Sequence, residues 1–138
     1  IYGRKGFLQY QVVVPFADGE EIMADVLGRI VHCGIPSLLT VLKTLGPANE
    51  GLLSFPIAGY TLALDIPFRN ADIIPFLREL NKTIVDAKGR VYLAKDAILE
   101  KEDFDAMYPK LEEFKRVKRL YDPEHRFRSR QSDRLGIT

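Results

Sequence analysis

Two glutamines, Gln9 and Gln11, stand in a segment of otherwise β-branched and aromatic residues, FLQYQVVV. Glutamine is not among the residue types enriched in strands. Its side chain offers both amide donors and an acceptor, which suit sugar hydroxyls or the edge of a heterocycle. Lys43 and Lys95 stand in or beside further strand-like segments, and an ammonium group can pair with phosphate or with a developing anion. These residue types favour a site for a polar or anionic ligand.

The other reactive side chains favour structural roles. Cys33 continues an apolar helical stripe, so we expect a buried structural thiol. We expect Asp65 to pair with a lysine, Asp96 to be a turn residue and Tyr108 to pack, although either carboxylate could act as an acid or base. A single cysteine excludes an intramolecular disulfide and a cysteine-based zinc site, and two histidines leave little for a metal centre.

These side chains lie in segments that alternate between strand and helix patterns. Residues typical of strands occur at 7–14, 38–45, 60–66 and 90–94. Helical spacing predicts a helix at 19–33, with a capping box between Asp18 and Glu21, and a second helix capped by Asn70 and closed by Gly89. The order βαββαβ predicts a ferredoxin-like α+β fold, which is an antiparallel sheet with helices on one face.

Alternation along the strands decides which side chains share a face of the sheet. The apolar set must lie under the helices. The helix-free face therefore receives Gln9, Gln11, Thr61 and Asp65. Lys43 joins them if its strand alternates regularly, and Lys95 lies just past the last strand, at the margin. Two interpretations remain open here: a solvated face, which is normal for an antiparallel sheet, or the lining of a ligand site.

Length and composition are typical of a globular protein that buries a core. The chain has 138 residues, 46% of them hydrophobic and 28% charged, and a net charge of +1, which gives no support to a nucleic-acid-coating protein. We expect neither a membrane span nor a signal peptide, and, because the chain does not begin with Met, a piece of a longer polypeptide. The expected domains are a ferredoxin-like domain, 1–98, and a helical extension with a basic tail, 99–138.

That extension carries an uneven charge. Residues 100–114 contain six acids and two lysines, whereas residues 115–138 contain eight basic and three acidic residues. We predict a helix that is broken at Pro109 and stopped by Asp122–Pro123. An irregular basic tail should follow, which docks on another domain or, alternatively, touches a phosphate or an acidic membrane surface.

Six segments carry a family resemblance when they are taken in order: FLQYQVVVP, VLKTLGP, LLSFPIAGYTLALDIP, RVYLAKDA, FDAMYP and YDPEHRFRSRQSDRL. They resemble the C-terminal part of FAD-linked oxidases of the vanillyl-alcohol oxidase superfamily. Within this superfamily, the resemblance is strongest to the decaprenylphosphoryl-ribose 2′-oxidase group. Sugar-lactone and alditol oxidases are more distant. The resemblance covers nearly the whole chain, and the blocks around Gln9–Gln11, Lys43 and Lys95 are specific in combination.

The resemblance implies the substrate (cap) domain of a FAD-dependent oxidoreductase, with FAD held mainly by an N-terminal domain of the same polypeptide. The implied reaction oxidises a hydroxyl of a sugar or polyprenyl-phosphoryl pentose to a ketone by hydride transfer to the flavin, and the fragment alone should be inactive. A short-chain reductase is an implied partner. The expected location is cytoplasmic, with membrane association.

The resemblance also assigns roles to individual residues. The implied substrate-binding residues are Gln9, Gln11, Lys43 and Thr61. Lys95 and Gln11 are implied as catalytic and cofactor-binding residues, the lysine by stabilising negative charge on the flavin. Where some members carry an asparagine and a reactive cysteine, this chain has Thr61 and Ala63. The substrate could therefore differ, and a thiol-directed inhibitor would find no target.

Two other functions remain open from the residues alone. A self-standing ferredoxin-like module could bind a small regulatory ligand, and such a module often works as a dimer through the open face of its sheet. RNA recognition is the weaker alternative, because the central strands lack the aromatic stacking platform of that class.

Overall fold

The computed structural model describes residues 6–34, 36–37, 39–68 and 72–137, which form an α+β fold on a four-stranded antiparallel sheet. The first elements are β1 (Phe7–Pro15), α1 (Gly19–His32), β2 (Leu39–Leu45), β3 (Gly59–Pro67), α2 (Ile73–Asp86) and β4 (Arg90–Val91). The strands lie in the order β2-β3-β1-β4. This order and the βαββαβ succession confirm the predicted ferredoxin-like fold.

One face of the sheet packs against α1 and α2. The central strands bury their apolar set on this face: Tyr10, Val12, Val14, Leu62, Leu64 and Ile66. The two helices contribute Met23, Val26, Ile30, Leu77, Leu80 and Ile84. This apolar set of the central strands therefore lies under the helices, as the alternation predicted. The other face receives the polar set together with the buried Val13.

Both ends of α1 differ from the sequence prediction. Asp18 has a φ of 58° and its side chain makes no capping hydrogen bond, because a capping side chain reaches the helix from extended backbone. The predicted capping box with Glu21 is therefore wrong. Cys33 is exposed, so the predicted buried thiol is also wrong: the buried stripe ends at Ile30. The predicted cap of the second helix, Asn70, lies outside the described residues.

The last strand is shorter than predicted. It covers Arg90–Val91 rather than 90–94, and Leu93–Lys95 form a 3-10 turn instead. The N–H of Tyr92 still donates to the carbonyl of Gln11 at 2.8 Å. The chain then turns away from the sheet, with the N–H of Lys95 donating to the carbonyl of Tyr92 at 2.9 Å. The hydrogen bond between Tyr92 and Gln11 thus attaches the start of this turn to β1.

The C-terminal section packs on the same core. It contains α3 (Lys101–Met107), α4 (Leu111–Tyr121) and α5 (Arg130–Arg134). The break at Pro109 and the end of α4 before Asp122 were predicted. The predicted irregular tail is correct for residues 122–129 and wrong for α5. Ser129 and Ser132 form a capping box at the start of α5, and Leu135 is fully buried. In the part of the chain that the structure describes, no helix is long and apolar enough to cross a membrane.

Candidate functional site

Three strands build a band of polar side chains on the face of the sheet opposite α1 and α2. We call this the polar band: Gln9, Gln11, Lys43, Thr61 and Asp65. Gln9 is paired with Asp65 across β1 and β3, Gln11 follows two residues later on β1, and Lys43 is paired with Thr61 across β2 and β3. Directly opposed residues of antiparallel strands project to the same side. The structure therefore brings together the four residues that the resemblance placed beside the substrate.

Gln11 and Thr61 are fixed at the centre of the polar band. The Nε2 of Gln11 donates to the Oγ1 of Thr61 at 3.1 Å, and the Thr61 hydroxyl donates to the carbonyl of Val12 at 2.7 Å. Both side chains are buried, with 7% and 1% of their surface exposed. No described residue donates to the Oε1 of Gln11. This network therefore leaves one oriented acceptor for a ligand.

Gln9 and Asp65 occupy one end of the polar band. The Nε2 of Gln9 donates to the Oδ1 of Asp65 at 3.0 Å. Gln9 is exposed, whereas Asp65 is buried. The Gln9 amide is thus one partner of this carboxylate, and the lysine predicted beside Asp65 stays a prediction. This bond orients the Gln9 side chain on the open face.

Lys43 lies at the exposed end of the polar band, on the edge strand β2. All of β2 from Leu39 to Thr44 is exposed. Within the described ranges, the Nζ of Lys43 takes part in no ion pair or hydrogen bond. An ammonium group without a protein partner can bind a phosphate as a point charge.

Lys95 lies at the opposite margin, on the 3-10 turn rather than on a strand. It is half-buried, and its turn is attached to β1 through the backbone bond between Tyr92 and Gln11. Among the described residues, no hydrogen bond joins the Lys95 ammonium to the polar band. The turn therefore fixes the backbone of Lys95, from which its flexible four-carbon side chain extends.

Tyr92 is a further residue on this side of the sheet that the sequence analysis did not single out. Its N–H bonds to Gln11, while the preceding Val91 faces the core, so alternation turns Tyr92 toward the polar side. Its ring centroid lies 4.6 Å from that of Phe55, and both rings line an open depression of about 490 Å³. The alternation in Arg90-Val91-Tyr92 was the signal that could have identified it.

Arg90 closes this face at the β4 end. It is paired with Val13, its Nε donates to the carbonyl of Met107 at 3.1 Å, and its guanidinium lies 5.6 Å from the centroid of the Tyr108 ring. Burial lowers the pKa of Arg90 and raises the pKa of Tyr108. The Tyr108 hydroxyl donates to the carbonyl of Val91 at 2.6 Å. Tyr108 therefore packs, as predicted.

The donor set of this face suits the polar edge of a flavin ring. That edge carries carbonyl oxygens and an N–H group, which complement ammonium groups and a side-chain amide acceptor such as the Gln11 Oε1. The described part of the chain holds no cluster of His, Cys, Asp or Glu that could bind a metal ion. The amide, hydroxyl and ammonium groups of this face fit an organic cofactor and a hydroxylated substrate.

Comparison with known proteins gives a matching family model and two similar relatives. Residues 62–135 match the family model of D-arabinono-1,4-lactone oxidase. The chain is 41% identical over 136 residues to the decaprenylphosphoryl-beta-D-ribose oxidase of Mycolicibacterium smegmatis. The aligned region covers 99% of this chain and 29% of that protein. It is 35% identical over 118 residues to a Streptomyces coelicolor protein described as an uncharacterized protein in the mprA 5′ region, covering 86% of this chain and 32% of that protein.

The chain thus spans less than a third of the length of both relatives. The family match extends over more than half of the chain and includes most of β3, together with α2, β4 and the C-terminal section. The resemblance predicted from the sequence is confirmed. The chain belongs to the D-arabinono-1,4-lactone oxidase family of FAD-linked oxidoreductases.

Proposed function

We propose that this chain is the substrate domain of a FAD-dependent oxidoreductase that oxidises a hydroxyl of a sugar or polyprenyl-phosphoryl pentose to a ketone. The observation that carries the proposal is the polar band, because it gathers amide, hydroxyl and ammonium groups of three strands on the helix-free face. FAD is held mainly by another domain of the same polypeptide, which covers this face.

The substrate is oriented by the centre of the polar band. The Gln11 Oε1 accepts a hydrogen bond from a sugar hydroxyl, and Thr61 keeps the Gln11 amide in place through the 3.1 Å bond. Gln9 supplies a second amide at the end of the band, where Asp65 orients it. Because these groups are already held by the sheet, little ordering is needed when the substrate binds.

The two lysines act at opposite ends of this site. Lys43 pairs with the phosphate of a polyprenyl-phosphoryl sugar, since it is exposed and has no described partner. Lys95, together with Gln11, contacts the cofactor and stabilises negative charge on its ring. When bound, the flavin supplies the hydride acceptor, so that the carbinol carbon loses a hydride and its hydroxyl a proton.

The substrate class rests on the relative from Mycolicibacterium smegmatis, whose name specifies decaprenylphosphoryl-ribose. A ketone produced from such a substrate requires a reduction to yield an epimeric sugar, which is the reaction of a short-chain reductase partner. The enzyme is cytoplasmic in this proposal and works at the membrane surface, where its lipid-linked substrate is held.

Anaerobic bleaching of the flavin tests the function. The complete gene product, loaded with FAD, should lose its yellow absorbance with a polyprenyl-phosphoryl pentose and more slowly with a free alditol. Lys43→Ala should raise KM for the phosphorylated substrate by about tenfold, the effect of losing one charge-assisted hydrogen bond, and leave KM for the alditol unchanged.

Lys82→Ala is the matched control, because Lys82 is an exposed lysine on α2 that pairs with Glu79. It should leave both KM values unchanged. If no sugar, alditol or polyprenyl-phosphoryl pentose bleaches the flavin, the proposed function is wrong. If Lys43→Ala raises KM equally for both substrates, Lys43 does not recognise the phosphate.

A further inference from the structure

A fully buried carboxylate follows Lys95 directly. The side chain of Asp96 has no exposed surface. Its Oδ1 accepts hydrogen bonds from the N–H groups of Ile98 at 2.8 Å and Leu99 at 2.7 Å. These two bonds fix the segment that leads from the 3-10 turn to α3. Because a buried carboxylate is costly unless it is paired, the other oxygen requires a cation.

That cation comes from α5, far along the chain. The Nη2 of Arg134 lies 2.7 Å from the Oδ2 of Asp96, and its Nη1 donates to the carbonyl of Leu99. The Nε2 of Gln131 donates to the same Oδ2 at 3.0 Å and to the carbonyl of Leu93 at 2.7 Å. Together these bonds restrain the chain before Lys95, at Leu93, and after it, at Asp96 and Leu99.

The helix that supplies these two side chains is itself held firmly. The capping box between Ser129 and Ser132 satisfies its first N–H groups, and Leu135, directly after it, is fully buried in the core. We call the set of Asp96, Gln131 and Arg134 the α5 clamp. The 3-10 turn is therefore fixed from two sides, by β1 through Tyr92 and by the core through the α5 clamp.

We propose that Gln131 and Arg134 are positioning residues that hold the Lys95 ammonium in place against the cofactor. The inference rests on the proposed function, in which Lys95 stabilises negative charge on the flavin. Its basis is that the described residues offer the Lys95 side chain no hydrogen bond of its own, so the region that its ammonium can reach is set by where the turn holds its Cα. Catalytic groups are sensitive to such placement, since an error of about 1 Å can cost about 100-fold in rate.

The test uses the complete FAD-loaded protein and two readouts besides activity. Hydrogen exchange of the amides in residues 93–96 reports whether the turn is held, and the midpoint potential of the bound flavin reports the positive charge beside it. In Arg134→Gln, we expect these amides to exchange at least about tenfold faster. The midpoint potential should become more negative, as it does in Lys95→Ala.

Three further variants separate positioning from general stability. Gln131→Ala removes the bonds to Leu93 and Asp96 without leaving the carboxylate unpaired, so it should fold and show the same two changes to a smaller extent. Arg134→Lys restores the cation and should recover most of the potential. Arg130→Gln is the charge-matched control on α5, because Arg130 is exposed and has no ion pair with a described residue.

Coupling between the sites gives the deciding outcome. In the Lys95→Ala background, Arg134→Gln and Gln131→Ala should no longer change the potential. A shift that persists in that background, or faster exchange without any shift in the wild-type background, would overturn the positioning role alone. If Lys95→Ala itself leaves the potential unchanged while sugars still bleach the flavin, the positioning role is overturned and the proposed oxidation stands.

Discussion

The two edge strands of the sheet differ in exposure: β4 is covered by other parts of the chain, whereas β2 is exposed. At β4, the N–H of Val91 bonds to the sulfur of Met107 and its carbonyl accepts from the Tyr108 hydroxyl, so the edge is covered by the C-terminal section. At β2, the residues from Leu39 to Thr44 are exposed, and within the described ranges the strand pairs only with β3.

This difference separates what the chain supports by itself from what it presents to other molecules. The β4 edge combines buried polar contacts with the α5 clamp, so the groups near it have fixed positions. The β2 edge offers Lys43 together with exposed Leu39 and Leu42. We infer that Lys95 is placed by this chain, whereas the surroundings of Lys43 are completed by a ligand or by another surface.

The largest expected difference between the two edges is in the free energy of unfolding lost when a leucine is replaced by alanine. Leu135→Ala should lower the free energy of unfolding by about 3 kcal/mol, because it leaves a cavity where a fully buried side chain packed. Leu42→Ala, at a side chain that is 53% exposed, should cost less than about 0.5 kcal/mol. Denaturant unfolding of the complete protein measures both. A cost at Leu42 close to that at Leu135 would mean that the β2 edge is covered in the intact protein.

A second comparison uses the glycines that border the two edges. A Cβ at Gly89, just before β4, would lie 2.4 Å from the carbonyl oxygen of Val13, whereas a Cβ at Gly46, just after β2, would have no neighbour within 4 Å. Gly89→Ala should therefore cost about 2 kcal/mol through backbone displacement, and Gly46→Ala should be neutral. Thermal unfolding of the two variants side by side tests this, and equal losses would contradict the asymmetry.

The smallest expected effect is a pH dependence of stability that comes from Asp122, in the connection between α4 and α5. A hydrogen bond from Lys118 at 2.6 Å, helped by the N–H groups of Arg126 and Phe127, lowers the pKa of Asp122. A lowered pKa in the folded state adds stability above about pH 4, and this stability is lost as the pH falls through the folded value.

Asp122→Asn should therefore melt at a lower temperature than the wild type at pH 7, and the difference should shrink in acid. The control is Glu124→Gln, because Glu124 is exposed and its only ion pair with a described residue is with the exposed Arg126. It should show little difference at any pH. A gap for Asp122→Asn that stays constant with pH would show that the carboxylate is not responsible.

The sequence was informative where structure repeats with a short period. Alternation along β1 and β3 separated Tyr10 and Leu64 from Gln9 and Gln11, because a buried face tolerates no register error. For Lys43 the sequence predicted only that it joins this face if its strand alternates regularly, and its pairing with Thr61 came from the structure. Most of the polar band could therefore be predicted without coordinates, although the roles of its residues remain predictions.

What could not be predicted depends on contacts between distant residues. The bond between Asp96 and Arg134 joins positions 38 residues apart, and a five-residue helix such as α5 has too few turns to show periodicity. Cys33 was misplaced because its spacing continued the stripe although α1 ends at His32. In each case the outcome was set by packing elsewhere in the chain.

The exposed edge of β2 also bears on how Lys43 can be studied. An open strand with several apolar side chains is a template for pairing with another copy, and a charged residue on such a strand is a known protection against aggregation. Lys43 is the single charged residue of LTVLKTL. Removing it would take away the proposed substrate contact and a charge that opposes aggregation at once. Lys43→Glu separates the two, because it keeps a charge on the strand but repels a phosphate.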